Sequence, residues 1–507
     1  MRGGRGYHIG RRDLLLGALA TGCAPRSPQI PASDAPRTLW GVQVGDVTAT
    51  SAVVWSRADR PSRLVVEIGE AGAAGDRFTP LHTVHGSEAT AATDFTAKAL
   101  VRGLAPGVPV RFRARMDGSE WSYGSFRPAP TTATALRFAW SGDTNGQGWG
   151  TDPARGGMPA YAALHRMQPD LFIHCGDTIY ADDPIPRSIA LPDGTSWNNV
   201  VDPGKTKVAE TLDDYRAAHR YPRGCAEFRA CSADVPLVAI WDDHEVRDNW
   251  FPGEVLADER YGERRVDVLS AHARRAMFEY LPTALRPADP MYRVLRYGPL
   301  ADVFLLDGRS HRSPNEPPPA AGALLGPAQE AWLVESLATS RARWKIVACD
   351  MPIGLQIGDR GAALPWVADG WGNDEGGPPR EREVELARIL SALKARGVKN
   401  VVWLAADVHY AAAHRFDPVR AIYKDFDPFW ELVAGPMHAT AFGRKNLDLT
   451  FGPELAWCSM DWEARGSPAD GRQFFGVIDV DPRDPNLQVR WFDAFGRELH
   501  RLAIPAA

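Results

Sequence analysis

Five apolar segments of this chain run directly into acidic or imidazole side chains, and no other feature restricts its fold as tightly. Residues 136–140 lead into Ser141-Gly142-Asp143, and 171–173 lead into His174-Cys175-Gly176-Asp177, with Tyr180 three residues on. Residues 235–240 lead into Trp241-Asp242-Asp243-His244-Glu245, 344–347 into Ala348-Cys349-Asp350-Met351-Pro352, and 401–404 into Ala405-Ala406-Asp407-Val408-His409. Near-continuous apolar strands belong to sheets covered on both faces, and the carboxyl ends of such strands share one edge where ligands bind. The five ends would gather several carboxylates, one phenol and two imidazoles in one cleft. So many carboxylates cannot all stay ionised side by side without compensation, and bound cations supply it. Taken singly, each residue has an ordinary explanation: an Asp after a strand caps a helix, Tyr180 is a half-buried aromatic, His409 a satisfied core histidine. Recurrence at five equivalent places is what points to a site.

Amphipathic stretches separate these strands. Leu386, Leu390 and Leu393 repeat at helical spacing before Gly397, which places a helix over 380–396. Gly326-Pro327 opens another, with Leu333 and Leu337 four apart. The alternation indicates an α/β layered domain over 134–507. Upstream, the alternating segments within 39–127, punctuated by Gly, Pro and Asp, read as a small all-β sandwich over 36–128. Its Gly103-Leu104-Ala105-Pro106-Gly107 turn resembles the corner of a fibronectin type III domain, and Arg127-Pro128-Ala129-Pro130-Thr131-Thr132 reads as a linker. A chain of 507 residues accommodates such a division, and 47 Gly with 41 Pro predict long, well-built loops. The net charge of −5 gives no reason to expect a nucleic-acid-binding surface. Six cysteines are too few for a disulfide scaffold. Cys225 and Cys231 stand six apart as a candidate pair after export, whereas Cys175 and Cys349 lie in apolar strands and are expected to be buried and free.

The first 23 residues read as an export signal, not as part of the fold. Arg2, Arg5, Arg11 and Arg12 precede a short uncharged run from Leu14 to Cys23. Arg11-Arg12 followed by Asp13-Leu14-Leu15 resembles a twin-arginine signal, implying the twin-arginine export machinery as a partner and a periplasmic or cell-surface location. Ala20-Thr21-Gly22-Cys23 resembles a lipoprotein cleavage box, which would put a lipid anchor on Cys23. Removing this basic segment takes the net charge from −5 to −8.

Gly176-Asp177-Thr178-Ile179-Tyr180, Trp241-Asp242-Asp243-His244-Glu245, Ala406-Asp407-Val408-His409-Tyr410 and Leu306-Asp307-Gly308-Arg309 together resemble the calcineurin-like metallophosphoesterase superfamily and, within it, the PhoD-like alkaline phosphatase family. The likeness covers nearly the whole chain. It implies a four-layer α/β catalytic domain, with helices flanking two packed sheets, and hydrolysis of phosphomonoesters, phosphodiesters or both. It also implies roles. Asp177 would bridge two metal positions. Asp143, Tyr180 and His409 would complete the first, where a phenolate suits Fe³⁺. Asp243, Asp350 and Asp407 would hold the second, at places where the broader superfamily has Asn or His; carboxylates there favour Ca²⁺, with Mn²⁺ or Mg²⁺ as alternatives. The best-described members carry Cys at the place of Asp143, so this departure leaves the first metal open. Asn249 is a candidate oxygen ligand for a further Ca²⁺. Two adjacent cations would activate a hydroxide for attack on phosphorus. His244 would protonate the leaving oxygen or else hydrogen-bond a ligand. Arg309 would bind phosphate bidentately or else pair with Asp307.

Gly146-Gln147-Gly148-Trp149-Gly150 lacks the Lys and Ser/Thr of a phosphate-cradling loop and reads as pocket wall. His438 reads as loop packing. Two alternatives use the same residues differently: a hydrolase of phospholipid headgroups or phosphotriesters, and a cell-surface binding protein without activity.

Overall fold

The computed structural model describes residues 35–507 apart from 71–77, 316–318, 357, 360–366 and 374–375. The export signal and Cys23 lie outside the described residues.

Two large sheets organise the chain. The first has nine strands in the order Glu498–Ile504, Leu487–Asp493, Phe474–Val480, Leu136–Ser141, Leu171–Cys175, Leu237–Ile240, Val42–Gly45, Ser51–Arg57 and Thr96–Arg102. The second has seven: Arg293–Tyr297, Ala301–Leu305, Trp344–Ala348, Val401–Ala405, Phe429–Val433, Ala412–Phe416 and Pro453–Cys458. Parallel pairing aligns the site-bearing strands. Ser141 lies opposite His174 and Cys175 opposite Ile240 in the first sheet; Ala348 lies opposite Leu404 in the second. Five carboxyl ends therefore reach one edge of the paired sheets.

Alternation along each strand decides what it packs against. From the first sheet, Phe138, Trp140, Ile173 and Ile240 share a core with Val303, Ile346 and Leu404 of the second. That core extends to α5 (Gly326–Thr339) through Leu333 and Leu337, and to α6 (Glu383–Ala395) through Leu386 and Leu390. The intervening residues Ala139, Phe172 and Ala239 face the other way. They join a second core with α1 (Pro159–Met167), α2 (Leu212–Arg220), α3 (Ala226–Asp234) and α4 (Val266–Tyr280). Each large apolar side chain moved out of water here stabilises the fold by ~1.5–3 kcal/mol. The mixed α/β architecture expected from the sequence is what forms. Helix α6 ends where the sequence indicates, with Gly397 in the left-handed region at φ 66°.

The N-terminal strands do something the sequence does not suggest. Ser62–Glu70, Pro80–Ala89, Val110–Met116 and Ser122–Phe126 make a separate four-stranded sheet. Its inward residues, among them Leu64, Val66, Phe112 and Ala114, share an apolar core with Val42, Val54 and Val101. Those last three belong to strands of the nine-stranded sheet, which continues across by parallel pairing of Gly45 with Leu237. One face of the N-terminal region is thus an extension of the large sheet.

Candidate metal centre

The strand ends hold their side chains through unusual backbone. Asp143, Asp177, Asp407 and His409 all have positive φ (64°, 55°, 61° and 58°), as does Asn249 at 57°. Asp, Asn and His are the side chains that tolerate this region best, and such strain persists only where surroundings over-determine it, as at functional sites. Here the surroundings are visible. Asp143 N–H donates to the Gly176 carbonyl (3.3 Å) and Thr144 N–H to that of Asp177 (2.8 Å). The buried Glu245 carboxylate accepts the backbone N–H groups of Asp177 (3.1 Å), Thr178 (2.6 Å) and Asp242 (2.8 Å), tying two strand ends together. Gly435 lets the backbone approach Asp143: a Cβ there would lie 2.2 Å from Asp143 Oδ2.

Three groups of potential ligands result: Asp143, Asp177 and His409; Asp177, Asp243 and His244; Asp242, Asp243 and Asp407. Within each, one ligand atom per residue lies within 4.8 Å of the others. Asp177 and Asp243 each belong to two groups. They line an open cleft of about 420 Å³ together with Asp407, His409, Asp182, Asp248 and Asn249.

The carboxylates of this cleft repel one another in a buried setting. Asp143 is fully buried, and neither of its carboxylate oxygens has a hydrogen-bond partner among the described residues. Burial, reinforced by Asp407, pushes its pKa well above the usual carboxylate range. Burial raises Asp177 as well, with Asp243 adding to it against the opposing pull of His244; Asp407 is raised by burial and by Asp243. Orphaned buried acceptors cost several kcal/mol unless something satisfies them, so the donor set fits hard metal ions. His409 is prepared as a neutral ligand. Burial pushes its pKa down to about 3, and its Nδ1 lies 2.5 Å from the Thr440 carbonyl, which holds the proton on that nitrogen. Its Nε2 is left to accept the Tyr180 hydroxyl at 2.7 Å and lies 3.7 Å from Asp143 Oδ1. Burial, with Asp177 and Asp143 nearby, keeps the Tyr180 phenol protonated in the absence of metal.

Residues 138–491 match the PhoD-like phosphatase family, and residues 22–130 match the N-terminal domain of PhoD-like phosphatases. The chain belongs to the PhoD-like phosphatase family. It is similar to alkaline phosphatase D of Bacillus subtilis (strain 168), with 30% identity over 269 residues, 49% of this chain and 43% of that relative. The match therefore spans less than half of the relative's length. Among solved structures, that of PhoD covers 95% of this chain and 94% of its own at 21% identity, with a TM-score of 0.69. A purple acid phosphatase, PPD1 from yellow lupin (Lupinus luteus) seeds, covers 93% and 74% at 13% identity and a TM-score of 0.53. At those identities the likeness is one of fold.

In this PhoD-like chain several expected residues stand elsewhere than the sequence suggests. The Arg309 guanidinium has no hydrogen bond to the Asp307 carboxylate among the described residues. That group is completely buried, donating to Asp242 Oδ1 through Nε (2.8 Å) and Nη2 (2.5 Å) and to Asp369 Oδ2 through Nη2 (2.7 Å). The Asp307 carboxylate accepts the Arg309 backbone N–H at 3.2 Å, along with Trp241 Nε1 (2.8 Å) and the Ser310 N–H (2.9 Å). Asp350 is drawn to the same ion-pair cluster, 3.5 Å from Arg309 Nε, and belongs to none of the three ligand groups. Asp242 takes part in its place. Asn249 reaches the cleft wall, but its recorded contact with the centre is its backbone N–H, 2.6 Å from Asp243 Oδ2. Cys225 and Cys231 are free: six residues along a helix turn their side chains to different faces. Cys175 and Cys349 are buried and free, and His438 packs against the Gly150 carbonyl at 2.9 Å.

His244 is half-buried on the cleft wall, stacked on Tyr180 with ring centroids 4.1 Å apart. Its Nδ1 is 2.7 Å from Asp182 Oδ1. Burial alone would discharge the ring, but Asp182, Asp243 and Asp177 outweigh it and hold the imidazole protonated. Asp182 and Glu245 are the functional residues that sequence reasoning passed over. The Asp182-Asp183 pair directly after Tyr180-Ala181 was the available signal.

Proposed function

We propose that this chain is an exported, metal-dependent phosphoesterase that hydrolyses phosphomonoesters, phosphodiesters or both. The observation that carries this reading is the set of carboxylates gathered at one cleft, buried Asp143 and Asp177 with half-buried Asp407, neither oxygen of Asp143 being hydrogen-bonded among the described residues. Asp143, Asp177, Tyr180 and His409 would hold one ion, for which Fe³⁺ is favoured, and Asp177, Asp243, Asp242 and Asp407 another, for which Ca²⁺ is favoured over Mn²⁺ or Mg²⁺. Metals so held supply charge neutralisation of the phosphate and activation of a water.

The chain's own contribution is proton delivery. His244 Nε2 lies 4.0 Å from Asp243 Oδ2 and 3.9 Å from Asp248 Oδ1, beyond hydrogen-bond reach of either. Its N–H is therefore available to an ester oxygen in the cleft, while Asp182 fixes the other nitrogen and the orientation of the ring. A protonated His244 suits donation to the leaving oxygen. Export is supported by the Arg11-Arg12 signal; among the described residues no helix is long and apolar enough to cross a membrane.

The test is a parallel assay on an aryl phosphate monoester and diester with Ca²⁺, Mn²⁺ and Fe³⁺, followed by chelation. Turnover that is lost with the metal and returns with it is expected. Protein that binds no metal and turns over neither ester would overturn the reading.

A further inference from the structure

Arg309 is sequestered, and besides His244 the cleft lining carries two cationic side chains, Arg260 and Lys445. Arg260 is occupied: its Nη2 pairs with Asp258 Oδ2 at 2.7 Å and its Nη1 lies 3.4 Å from the Asp182 carbonyl. Lys445 is different. It is half-buried at the cleft wall, and its ammonium has no hydrogen bond or ion pair among the described residues.

The segment that carries Lys445 is held firmly. Thr440 N–H donates to Gln147 Oε1 (3.1 Å), Ala441 N–H to the Gly466 carbonyl (2.9 Å), Phe442 N–H to the His409 carbonyl (3.1 Å) and Lys445 N–H to Tyr410 Oη (3.2 Å). Gly443 presses against Trp462, whose carbonyl oxygen would lie 2.0 Å from a Cβ at that position. Phe442 stacks on His409 with centroids 4.9 Å apart and presents an apolar surface to the cleft beside Lys445. The neighbouring cations lie over aromatic rings, Arg444 over Trp462 and Arg465 over Phe442, and neither lines the cleft. Around His244, by contrast, the lining is acidic: Asp182, Asp183 and Asp248. The cleft is therefore polarised, with acidic groups beside the proton donor and an unpaired ammonium beside His409.

We infer that Lys445 is a specificity-determining residue that selects esters carrying a second anionic group on the arm that does not leave. This rests on the phosphoesterase reading. The leaving oxygen belongs beside His244, so the retained arm extends along Phe442. An anion on that arm meets the Lys445 ammonium, whereas the same anion on the leaving arm would face three carboxylates. A pre-positioned charge on a pinned segment costs little ordering on binding.

A matched pair of phosphodiesters tests this: propyl 4-nitrophenyl phosphate and 2-carboxyethyl 4-nitrophenyl phosphate, which share a leaving group and differ in the charge of the retained arm. The wild-type chain is expected to favour the carboxyethyl ester in kcat/KM. Lys445→Met lowers that preference about tenfold, the scale of one charge-assisted hydrogen bond, mainly through KM, and Lys445→Arg restores most of it. Added salt narrows the wild-type preference. A wild type that turns over both esters without preference overturns the inference and leaves the phosphoesterase reading intact. So does a Lys445→Met variant that loses equally on both, since that marks a structural role. Turnover of neither ester also overturns the inference, and the parent reading falls with it only if an aryl phosphate monoester is not hydrolysed either.

Discussion

Two clusters of carboxylates, one at the cleft and one behind it, are handled in opposite ways. Around Arg309, the acids Asp242, Asp350 and Asp369 are met by guanidinium groups, and Arg312 adds a contact of 2.6 Å to Asp369. Burial disfavours charge on Asp369, but Arg309 and Arg312 prevail and hold its carboxyl well below the usual range. Asp143, Asp177 and Asp407 are equally crowded, yet burial and mutual repulsion push them above it. Asp242 stands at the border. It is paired with Arg309 but still raised, because burial and the neighbours Asp243, Asp350 and Asp407 outweigh one guanidinium. The cluster that supports the site is met by guanidinium groups, whereas at the cleft the pull of His244 on Asp177 and Asp143 does not offset burial and repulsion. Where charge is left open, an external cation has a place.

The contrast breaks first at Arg309. Arg309→Met removes the cation from three buried acids, a change that costs about 3–5 kcal/mol when a buried pair is broken; denaturant unfolding of chelated protein should show it, or soluble protein should not be obtained. Asp177→Asn acts on the open cluster instead. It should reduce hydrolysis to background and lower the metal content, while the chelated protein folds at least as well as wild type because one repelling charge is gone. Full activity in that variant would remove Asp177 from the centre.

His244→Ala is expected to retain metal and slow turnover by roughly 10²–10⁴, with the smaller losses on esters of good leaving groups. Equal losses across leaving groups would show that His244 is not the proton donor. Chelated protein should also carry an inverted pH profile. Asp143, Asp177 and Asp407 have raised pKa values when folded, so the folded chain binds more protons than the unfolded one. Stability must then fall as pH rises from the unfolded carboxylate value of about 4. Thermal melts of the chelated chain should give a higher Tm near pH 5.5 than near pH 8, a difference that metal loading erases. The smallest effect belongs to Asn249→Gly, which keeps the positive φ and the N–H bond to Asp243. Metal content should be unaltered, whereas a side-chain ligand would be missed.

The strand ends were readable because each apolar run and its acid are adjacent in the chain, so parallel pairing within each sheet, and packing of the two sheets on a shared core, bring Asp143, Asp177, Asp243, Asp407 and His409 to one edge. What failed to show was side-chain direction and long-range partnership. The setting of Asp242 and Asp350 is fixed around Arg309, which donates to Asp242, lies 3.5 Å from Asp350 and is shared with Asp369, 60 residues away. The continuation of the large sheet into the N-terminal strands rests on one parallel register between Gly45 and Leu237, which leaves no local pattern. Spacing likewise suggested pairing of Cys225 with Cys231, because a six-residue interval says nothing about helical phase.

The central claim is that the cleft is a multi-metal centre completed by ions the chain does not replace with its own cations. Elemental analysis of purified, extensively dialysed protein tests it most directly. At least two tightly held ions per chain are expected, with Asp177→Asn losing at least one and Asn249→Gly losing none. A dialysed chain that is folded, hydrolyses phosphate esters and holds no metal would contradict it.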